Sequence, residues 1–141
     1  RFDLMVNTIT ARAVVDHAIR IVGASQWRPH IHVQDVARAF LSAAVDAKPE
    51  HCQGHIFNTG GDDLNFTVGQ IGEKVVAQVP GTKVEYADDV DDLRSYRVSF
   101  SRIRQALGFV PEWTVEATIE ELRSKLESGA VADFTDDIYS N

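Results

Sequence analysis

Cysteine is almost absent from the sequence, because Cys52 is the only one among 141 residues. A single thiol cannot form a disulfide within the chain, so we expect a reducing, cytoplasmic compartment. No apolar run approaches the roughly 20 residues of a membrane-spanning helix, so we expect no membrane partner. The first residues, RFDLMVNTITAR, lack the basic-then-apolar order of a signal peptide and an initiator methionine. A start inside a longer protein, or a removed tag, would explain the missing methionine.

Positive charge is also scarce. The chain has 14 lysines and arginines against 21 acidic residues, a formal net charge of −7. Nucleic-acid binding requires a basic face, so we expect no nucleic-acid partner. An anionic ligand would need a local cluster of arginines. The hydrophobic share of 44% is typical of a globular protein with a buried core.

Hydrophobic periodicity and turn residues predict short strands that alternate with helices, which indicates an α/β fold with an incomplete sheet. We expect strands at 18–22, 30–33, 55–58 and 83–87. We expect helices at 3–16, from Asp35 to before Pro49, 67–79, 101–107, and from Thr114 to before Gly129. The last residues, 130–141, are acidic, and we expect a mobile tail there.

Three of the expected helices have recognisable caps. Asp35 is the predicted N-cap of the second helix, and Thr114 that of the last helix. Thr67 and Gln70 have the spacing of a capping box. The helix after Asp35 carries one apolar stripe, formed by Val36, Ala37, Phe40, Leu41, Ala44 and Val45.

Two histidines raise the possibility of a metal site. His30 and His32 lie two residues apart in a predicted strand, so their side chains share one face. A metal would need a further ligand, from Asp35 or His55, and nothing else in the spacing supports zinc. A structural role for the histidines is favoured, and no metal is predicted.

Other candidate motifs are incomplete. The acidic run ADDVDD at 87–92 lacks the glycine and the closing glutamate of an EF-hand loop, which favours a solvated loop. NTGGDD at 58–63 lacks the G-x-G-x-x-G spacing of a dinucleotide loop, which favours a turn at a strand end. Neither Tyr86 nor Tyr96 has a lysine four residues later. The flanks of Cys52 match no nucleophile signature. The sequence therefore predicts no self-contained active site.

The arginines are more informative. Arg28 follows Trp27, and Arg94 and Arg97 bracket Tyr96. A guanidinium group can bind two phosphate oxygens at once, so such a set suits a phosphate ester. The alternative is that these arginines form surface ion pairs with the aspartates of residues 88–92. Spacing alone leaves both interpretations open.

Four blocks of the sequence resemble blocks of a known family, and they occur in the same order along the chain as in that family. WRPHIHVQDVARAF is similar to the R-[DP]-aromatic-[IV]-H-V-x-D-[VL]-A block of the extended short-chain dehydrogenases/reductases, which include nucleotide-sugar epimerases and dehydratases. FNTGG resembles the family's Y/F-N-x-G strand, and ALGFVPEWTVEATIEEL its LGF.P segment and final helix. RFDLMVN resembles the stretch that carries a substrate-contacting asparagine. The resemblance covers about residues 1–128.

The resemblance implies the C-terminal part of an extended Rossmann-type enzyme, with residues 1–129 as its substrate-binding portion. In that family the glycine-rich loop, the Ser/Thr and the Tyr-x-x-x-Lys pair lie upstream, and NAD or NADP takes a hydride from the sugar and returns it. The resemblance therefore implies a missing N-terminal cofactor domain, no catalytic residue in this chain, and an inactive fragment. It also implies that residues 55–58 and the helix after Asp35 pack on, or extend, the cofactor sheet.

Site residues follow from the same resemblance. Asn7 would contact a nucleotide-diphosphate sugar, Arg28 its pyrophosphate, and Arg94 the phosphate or nucleotide end, with Tyr96 and Arg97 nearby. The sequence departs from the family's pattern at two places, so the resemblance does not specify the nucleotide or the sugar. His30 replaces an aromatic residue, and DDLRSYR differs from the R-P-G-D form of many relatives. Two alternatives are a non-catalytic ligand-binding module and an interaction domain that needs a partner chain. We also expect a homodimer.

Overall fold

The computed structural model describes residues 1–87 and 94–139. The chain divides into two compact units, each made from non-contiguous segments. The first comprises Arg1–Gln26, Thr67–Arg94 and Val115–Asn141, and the second comprises Trp27–Phe66 and Ser95–Thr114. The aspartates of the predicted loop at 87–92, Asp88 to Asp92, lie outside the described residues.

The described residues form six α-helices and four short strands. The helices are α1 (Met5–Asp16), α2 (Val33–Leu41), α3 (Pro49–Cys52), α4 (Val68–Gln78), α5 (Ser101–Leu107) and α6 (Val115–Glu127). The strands are β1 (Ala18–Val22), β2 (Trp27–Pro29), β3 (Asn65–Thr67) and β4 (Lys83–Ala87). Shorter turns are a π-helical turn at Ser42–Asp46 and 3₁₀ turns at Asp62–Leu64 and Asp137–Tyr139. No helix in this described part is long and apolar enough to cross a bilayer.

The first unit is built on a parallel pair of strands. β1 and β4 pair from Ala18 opposite Lys83 to Val22 opposite Ala87. Ile19 and Ile21 alternate toward the buried face of β1, as the period of two in a strand requires. Helices α1, α4 and α6 pack together, and α1 and α4 also contact β1. The helices supply further core residues, among them Ile9, Ala11, Ala13, Ile71, Val75, Val115 and Ile119.

Local signals are confirmed at the helix ends of this unit. The Thr67 hydroxyl accepts a hydrogen bond from Gln70 N at 3.2 Å, and the Gln70 side chain accepts one from Thr67 N at 2.8 Å. This is the predicted capping box, a feature that stabilises a helix by about 1 kcal/mol. Helix α6 begins directly after Thr114, as expected.

The last residues contact the first ones. Phe134 is buried, and its ring centroid lies 5.8 Å from that of Phe2. Phe2 N donates a hydrogen bond to the carbonyl oxygen of Tyr139 at 2.8 Å. The mobility expected of residues 130–141, and the boundary expected at residue 129, stay predictions.

The second unit has a small aromatic core of its own. Phe100, Ile103 and Phe109 are buried there with Ala39. A Cβ atom on Gly60 would lie 2.5 Å from the ring of Phe100, so only glycine fits that position. Gly60 of NTGGDD therefore allows close packing between its backbone and the Phe100 ring.

Two expectations about the start of α2 are wrong. Residues 30–33 are not a strand, because the strand is Trp27–Pro29 and α2 begins at Val33. Its N-cap is His32, whose Nδ1 accepts a hydrogen bond from Gln34 N at 3.3 Å. Asp35 therefore does not cap the helix. It lies within the first turn and is fully buried.

The expected strand at 55–58 is also wrong for this chain. These residues follow α3 without regular structure, and Ile56 is 82% exposed. A strand needs a neighbour that completes its backbone hydrogen bonds. No other described residue forms a backbone hydrogen bond with Ile56 or Phe57.

The apolar stripe of α2 faces solvent. A stripe of this kind ordinarily packs on a core. Here Phe40 is 72% exposed and Val45 is 73% exposed, and Val33 and Leu41 are similarly open. The buried side of the helix carries Asp35 and Ala39. We call Val33, Phe40, Leu41 and Val45 the apolar face.

Candidate functional site

Two of the predicted ligand arginines, Arg28 and Arg97, lie against aromatic rings of the second unit. The Cζ atom of Arg97 is 4.5 Å from the centroid of the Trp27 ring, and the Cζ atom of Arg28 is 5.6 Å from that of the Tyr96 ring. Both distances are within the range of a cation–π interaction. The structure thus brings together three of the predicted ligand residues and adds Trp27 to them. We call these four residues the arginine–aromatic cluster.

Backbone hydrogen bonds connect the two sides of this cluster. Trp27 N donates to the Ser95 hydroxyl at 3.1 Å, and Tyr96 N donates to the Trp27 carbonyl at 3.2 Å. The same carbonyl accepts a hydrogen bond from the Arg28 guanidinium at 2.9 Å. Strand β2 and residues 95–96 are therefore held in a fixed relation, and one side of the Arg28 guanidinium is oriented by the backbone.

A buried amide fixes the chain immediately after Arg97. The side chain of Asn65 accepts a hydrogen bond from Val98 N at 2.9 Å and donates one to the Val98 carbonyl at 3.0 Å. Asp62 accepts a hydrogen bond from Phe100 N at 2.9 Å. The sequence contains no signal for this role of Asn65, whereas Trp27 is noticeable as the neighbour of Arg28.

His30 adds no charge to the cluster at neutral pH. Burial lowers the pKa of His30 to about 4, and the positive charge of Arg28 contributes to the shift. Its Nε2 atom is buried and has no hydrogen-bond partner among the described residues. Arg28 is thus accompanied by a neutral ring.

The histidines and nearby acids do not form a metal centre in the described part of the chain. No three His, Cys, Asp or Glu side chains come close enough there to hold an ion. The His32 ring stacks on the Trp113 ring, with centroids 3.9 Å apart and an interplanar angle of 12°. His32 thus serves packing as well as capping.

Asp35 is part of a structural network. Its carboxylate accepts hydrogen bonds from the backbone N–H groups of Glu112 and Trp113 and from the Arg38 guanidinium. Burial alone would raise the pKa of Asp35, but the donors from Trp113, Glu112 and Arg38 outweigh it and hold the pKa below its ordinary value. The carboxylate is therefore a charged anchor for residues 112–113.

The other two predicted ligand residues belong to the first unit. Asn7 lies in α1, where its side-chain amide donates a hydrogen bond to the Arg1 carbonyl at 2.6 Å. Arg94 is exposed and follows the residues 88–93 that the structure does not describe. The alternative interpretation, ion pairing with the aspartates of residues 88–92, involves those same residues.

No protein-family model matches the chain. Solved structures do match it. An NAD-dependent NDP-hexosamine 5,6-dehydratase involved in tunicamycin biosynthesis has a TM-score of 0.76 at 16% identity, over 94% of this chain and 43% of that chain. MoeE5, solved in complex with UDP-glucuronic acid and NAD, has a TM-score of 0.71 at 20% identity, over 92% and 43%. A monomeric L-threonine 3-dehydrogenase from a metagenome has a TM-score of 0.72 at 19% identity, over 88% and 41%.

These likenesses establish the fold. The neighbours include extended short-chain dehydrogenase/reductase epimerases and dehydratases, so the predicted resemblance is confirmed at the level of the fold. The α/β class with small, incomplete sheets is confirmed as well, and it corresponds to the C-terminal part of Rossmann-type neighbours. The chain spans less than half the length of the structures that it matches.

Proposed function

We propose that this chain is the substrate-binding portion of an NAD(P)-dependent nucleotide-sugar epimerase or dehydratase. The observation that supports this most directly is the arginine–aromatic cluster. A diphosphate needs several donors in a fixed array, and guanidinium groups supply them as flat forks. In an acidic chain, two such groups beside two aromatic rings form a local anion-binding surface.

Arg28 is the proposed centre of this surface. One side of its guanidinium donates a hydrogen bond to the Trp27 carbonyl. His30 is neutral at pH 7, so it adds no second positive charge beside Arg28. An ordered guanidinium in partly buried surroundings binds a diphosphate with less loss of side-chain freedom than an exposed one. Tyr96 and Arg97 are proposed to assist. Asn7 and Arg94 stay proposed ligand residues on the resemblance alone.

The nicotinamide cofactor does not fit this chain by itself. Gly60 and Gly61, the nearest approach to a phosphate-binding loop, pack against Phe100 and Pro111. The sequence has no Tyr-x-x-x-Lys pair. We therefore propose that NAD or NADP and the catalytic groups belong to a further part of the protein. This chain would then bind and orient the substrate without carrying out the chemistry itself. A cytoplasmic location is likewise proposed.

The apolar face favours a second function, that of an interaction domain. Four large apolar side chains lie exposed on one stretch of helix, and Ile56 is exposed nearby in sequence on a segment without backbone partners. Exposed apolar surface of this kind marks an interaction site. We propose that a cofactor-binding part covers this face, because the matched structures are more than twice as long as this chain. A homodimer is the alternative occupant.

Calorimetric titration tests the main proposal. UDP-, GDP-, CDP- and dTDP-sugars and L-threonine are titrated into the wild type and into Arg28→Ala. Arg104→Ala is the matched control, because Arg104 is an exposed arginine of the same unit. We expect saturable binding of one nucleotide sugar, weakened in Arg28→Ala by more than the ~1 kcal/mol of an exposed ion pair, and unchanged in the control.

Each alternative has its own outcome. Binding of L-threonine without any nucleotide sugar would contradict the proposed substrate class. Nucleotide binding that is equal in Arg28→Ala and the wild type would remove Arg28 from the site. Saturable binding of NAD to this chain would contradict the assignment of the cofactor to another part of the protein.

A further inference from the structure

We propose that Trp27 is a positioning residue for Arg97, and that it holds the Arg97 guanidinium ready for a phosphate group of the nucleotide ligand. This inference rests on the proposed function and deepens it, because the resemblance gave no role to Trp27. In this proposal the Trp27 ring supports the Arg97 guanidinium, and the guanidinium binds the phosphate.

The Trp27 ring and the Arg97 side chain both extend from fixed backbone. The backbone of Trp27 is hydrogen-bonded on both sides, by Ser95 at its N–H group and by Tyr96 at its carbonyl. Its half-buried ring is therefore attached to a fixed point. The chain that carries Arg97 is fixed as well, because Asn65 binds both backbone groups of Val98. Ring and guanidinium are thus presented to each other by two immobilised backbones.

Arg97 can contact the ring and still offer its N–H donors to a ligand. A guanidinium group contacts an aromatic ring through its flat surface, whereas its N–H groups point outward in its own plane. The Cζ atom lies 4.5 Å from the ring centroid, and a flat contact at this distance would leave those donors available. An arginine that is already ordered loses less conformational entropy when it binds a phosphate.

The arginines of the described part differ in whether a carboxylate lies nearby. Five of them have a carboxylate within salt-bridge distance: Arg1, Arg12, Arg20, Arg38 and Arg123. Among the described residues, Arg97 has no such carboxylate, and its contact is the Trp27 ring. An exposed guanidinium held by a ring keeps its charge for an external anion. The chemical class of that anion is a phosphate or diphosphate.

The test is a double-mutant cycle on nucleotide affinity. Trp27→Leu, Arg97→Ala and the double variant are titrated with UDP-, GDP-, CDP- and dTDP-glucose and with inorganic pyrophosphate. Trp27→Phe keeps a ring, and Trp113→Phe is the control for tryptophan loss elsewhere in the same unit. We expect Trp27→Leu to weaken binding about 5- to 10-fold. We expect no further loss from Trp27→Leu when Arg97 is already alanine, and near-wild-type affinity in Trp27→Phe and Trp113→Phe.

A measurement without ligand accompanies the cycle. The NMR signals of the Arg97 side chain should show the ring-current shift of a stacked guanidinium in the wild type and in Trp27→Phe, but not in Trp27→Leu. Since Arg97 is exposed, Arg97→Ala should remain folded and keep the cycle interpretable.

The outcomes separate this inference from the proposed function. Nucleotide binding with additive losses would show that Trp27 contacts the ligand directly, and would overturn the positioning role. Nucleotide binding unaffected by either variant would also overturn it, while the substrate-binding proposal stands through Arg28. If the wild type binds none of the probes, both fail, and the NMR shift then shows only a structural stack.

Discussion

Asp35 holds Trp113 across 78 positions of sequence, because its Oδ2 atom accepts a hydrogen bond from Trp113 N at 2.9 Å. Glu112 N lies 3.1 Å from both carboxylate oxygens, and the Arg38 guanidinium lies 2.6 Å from Oδ1. The side chain of Asp35 is 0% exposed. One buried charge thus joins α2 to the segment that precedes α6.

Asp35→Asn should destabilise the protein by about 2–4 kcal/mol. Either orientation of the amide sets an NH₂ group against the N–H donors of Glu112 or Trp113, and Arg38 loses its buried charge partner. Urea unfolding at pH 7 measures the change. Asp46→Asn, an exposed aspartate of the same unit, is the matched control and should stay within ~0.5 kcal/mol of the wild type. A loss below ~1 kcal/mol in Asp35→Asn would show that the network contributes little.

His30 should make stability depend on pH. Its pKa is about 4 in the folded chain against 6.5 ordinarily, so the unfolded state takes up a proton first as the pH falls. The stabilisation is complete above pH 6.5 and is lost as the pH falls from there toward 4. At ~1.36 kcal/mol per pKa unit, this lowering of the pKa corresponds to about 3 kcal/mol at most.

Unfolding curves between pH 7.5 and 4.5 measure this dependence. His30→Phe should flatten it, because the titrating group is gone and an aromatic ring beside Phe66 is kept. His51→Gln, which changes an exposed histidine, serves as the control. The pKa of Asp35 is lowered, so the stability that depends on its charge is lost only when the pH falls below the ordinary value of 3.8. An equally steep pH dependence in His30→Phe would contradict this assignment.

The apolar face should drive association of the isolated chain. Phe40→Glu and Val45→Glu remove apolar surface that is already exposed, so the free energy of unfolding should change by less than ~1 kcal/mol. Sedimentation velocity over a range of concentrations should show the wild type associating and both variants shifted toward monomer. Val110→Glu, at another exposed apolar side chain of the same unit, should behave like the wild type. A wild type that stays monomeric at every concentration would argue against this face as a contact surface.

The sequence predicts best what depends on neighbours along the chain. The Thr67–Gln70 capping box follows from residues three positions apart, and β1 follows from the alternation of AIRIV. The short helix α5 ends at Gly108, as its glycine indicated. These features need no knowledge of the tertiary structure.

The predictions are wrong where the local structure depends on a residue that is distant in sequence. Asp35 has the chemistry of an N-cap, but Glu112 and Trp113 use its carboxylate, and His32 takes the cap instead. HIHV alternates like a strand, yet the pairing with β3 selects Trp27–Pro29. In the same way the Asn65–Val98 contact, which supports the candidate site, joins residues 33 positions apart and leaves no local signal.

The interleaving of the two units has a consequence for synthesis on the ribosome. Helix α1 packs against α6, which begins roughly 100 residues later, so the first unit cannot close until α6 has left the exit tunnel. At 5–20 residues per second, α1 would wait about 5–20 s for this partner. During that interval the buried side of α1 is open to other chains, and chaperone dependence in cells would follow from topology alone. A circular permutant that joins residues 115–139 ahead of residue 1 would place α6 before α1, so that α1 would wait only for α4 and β4.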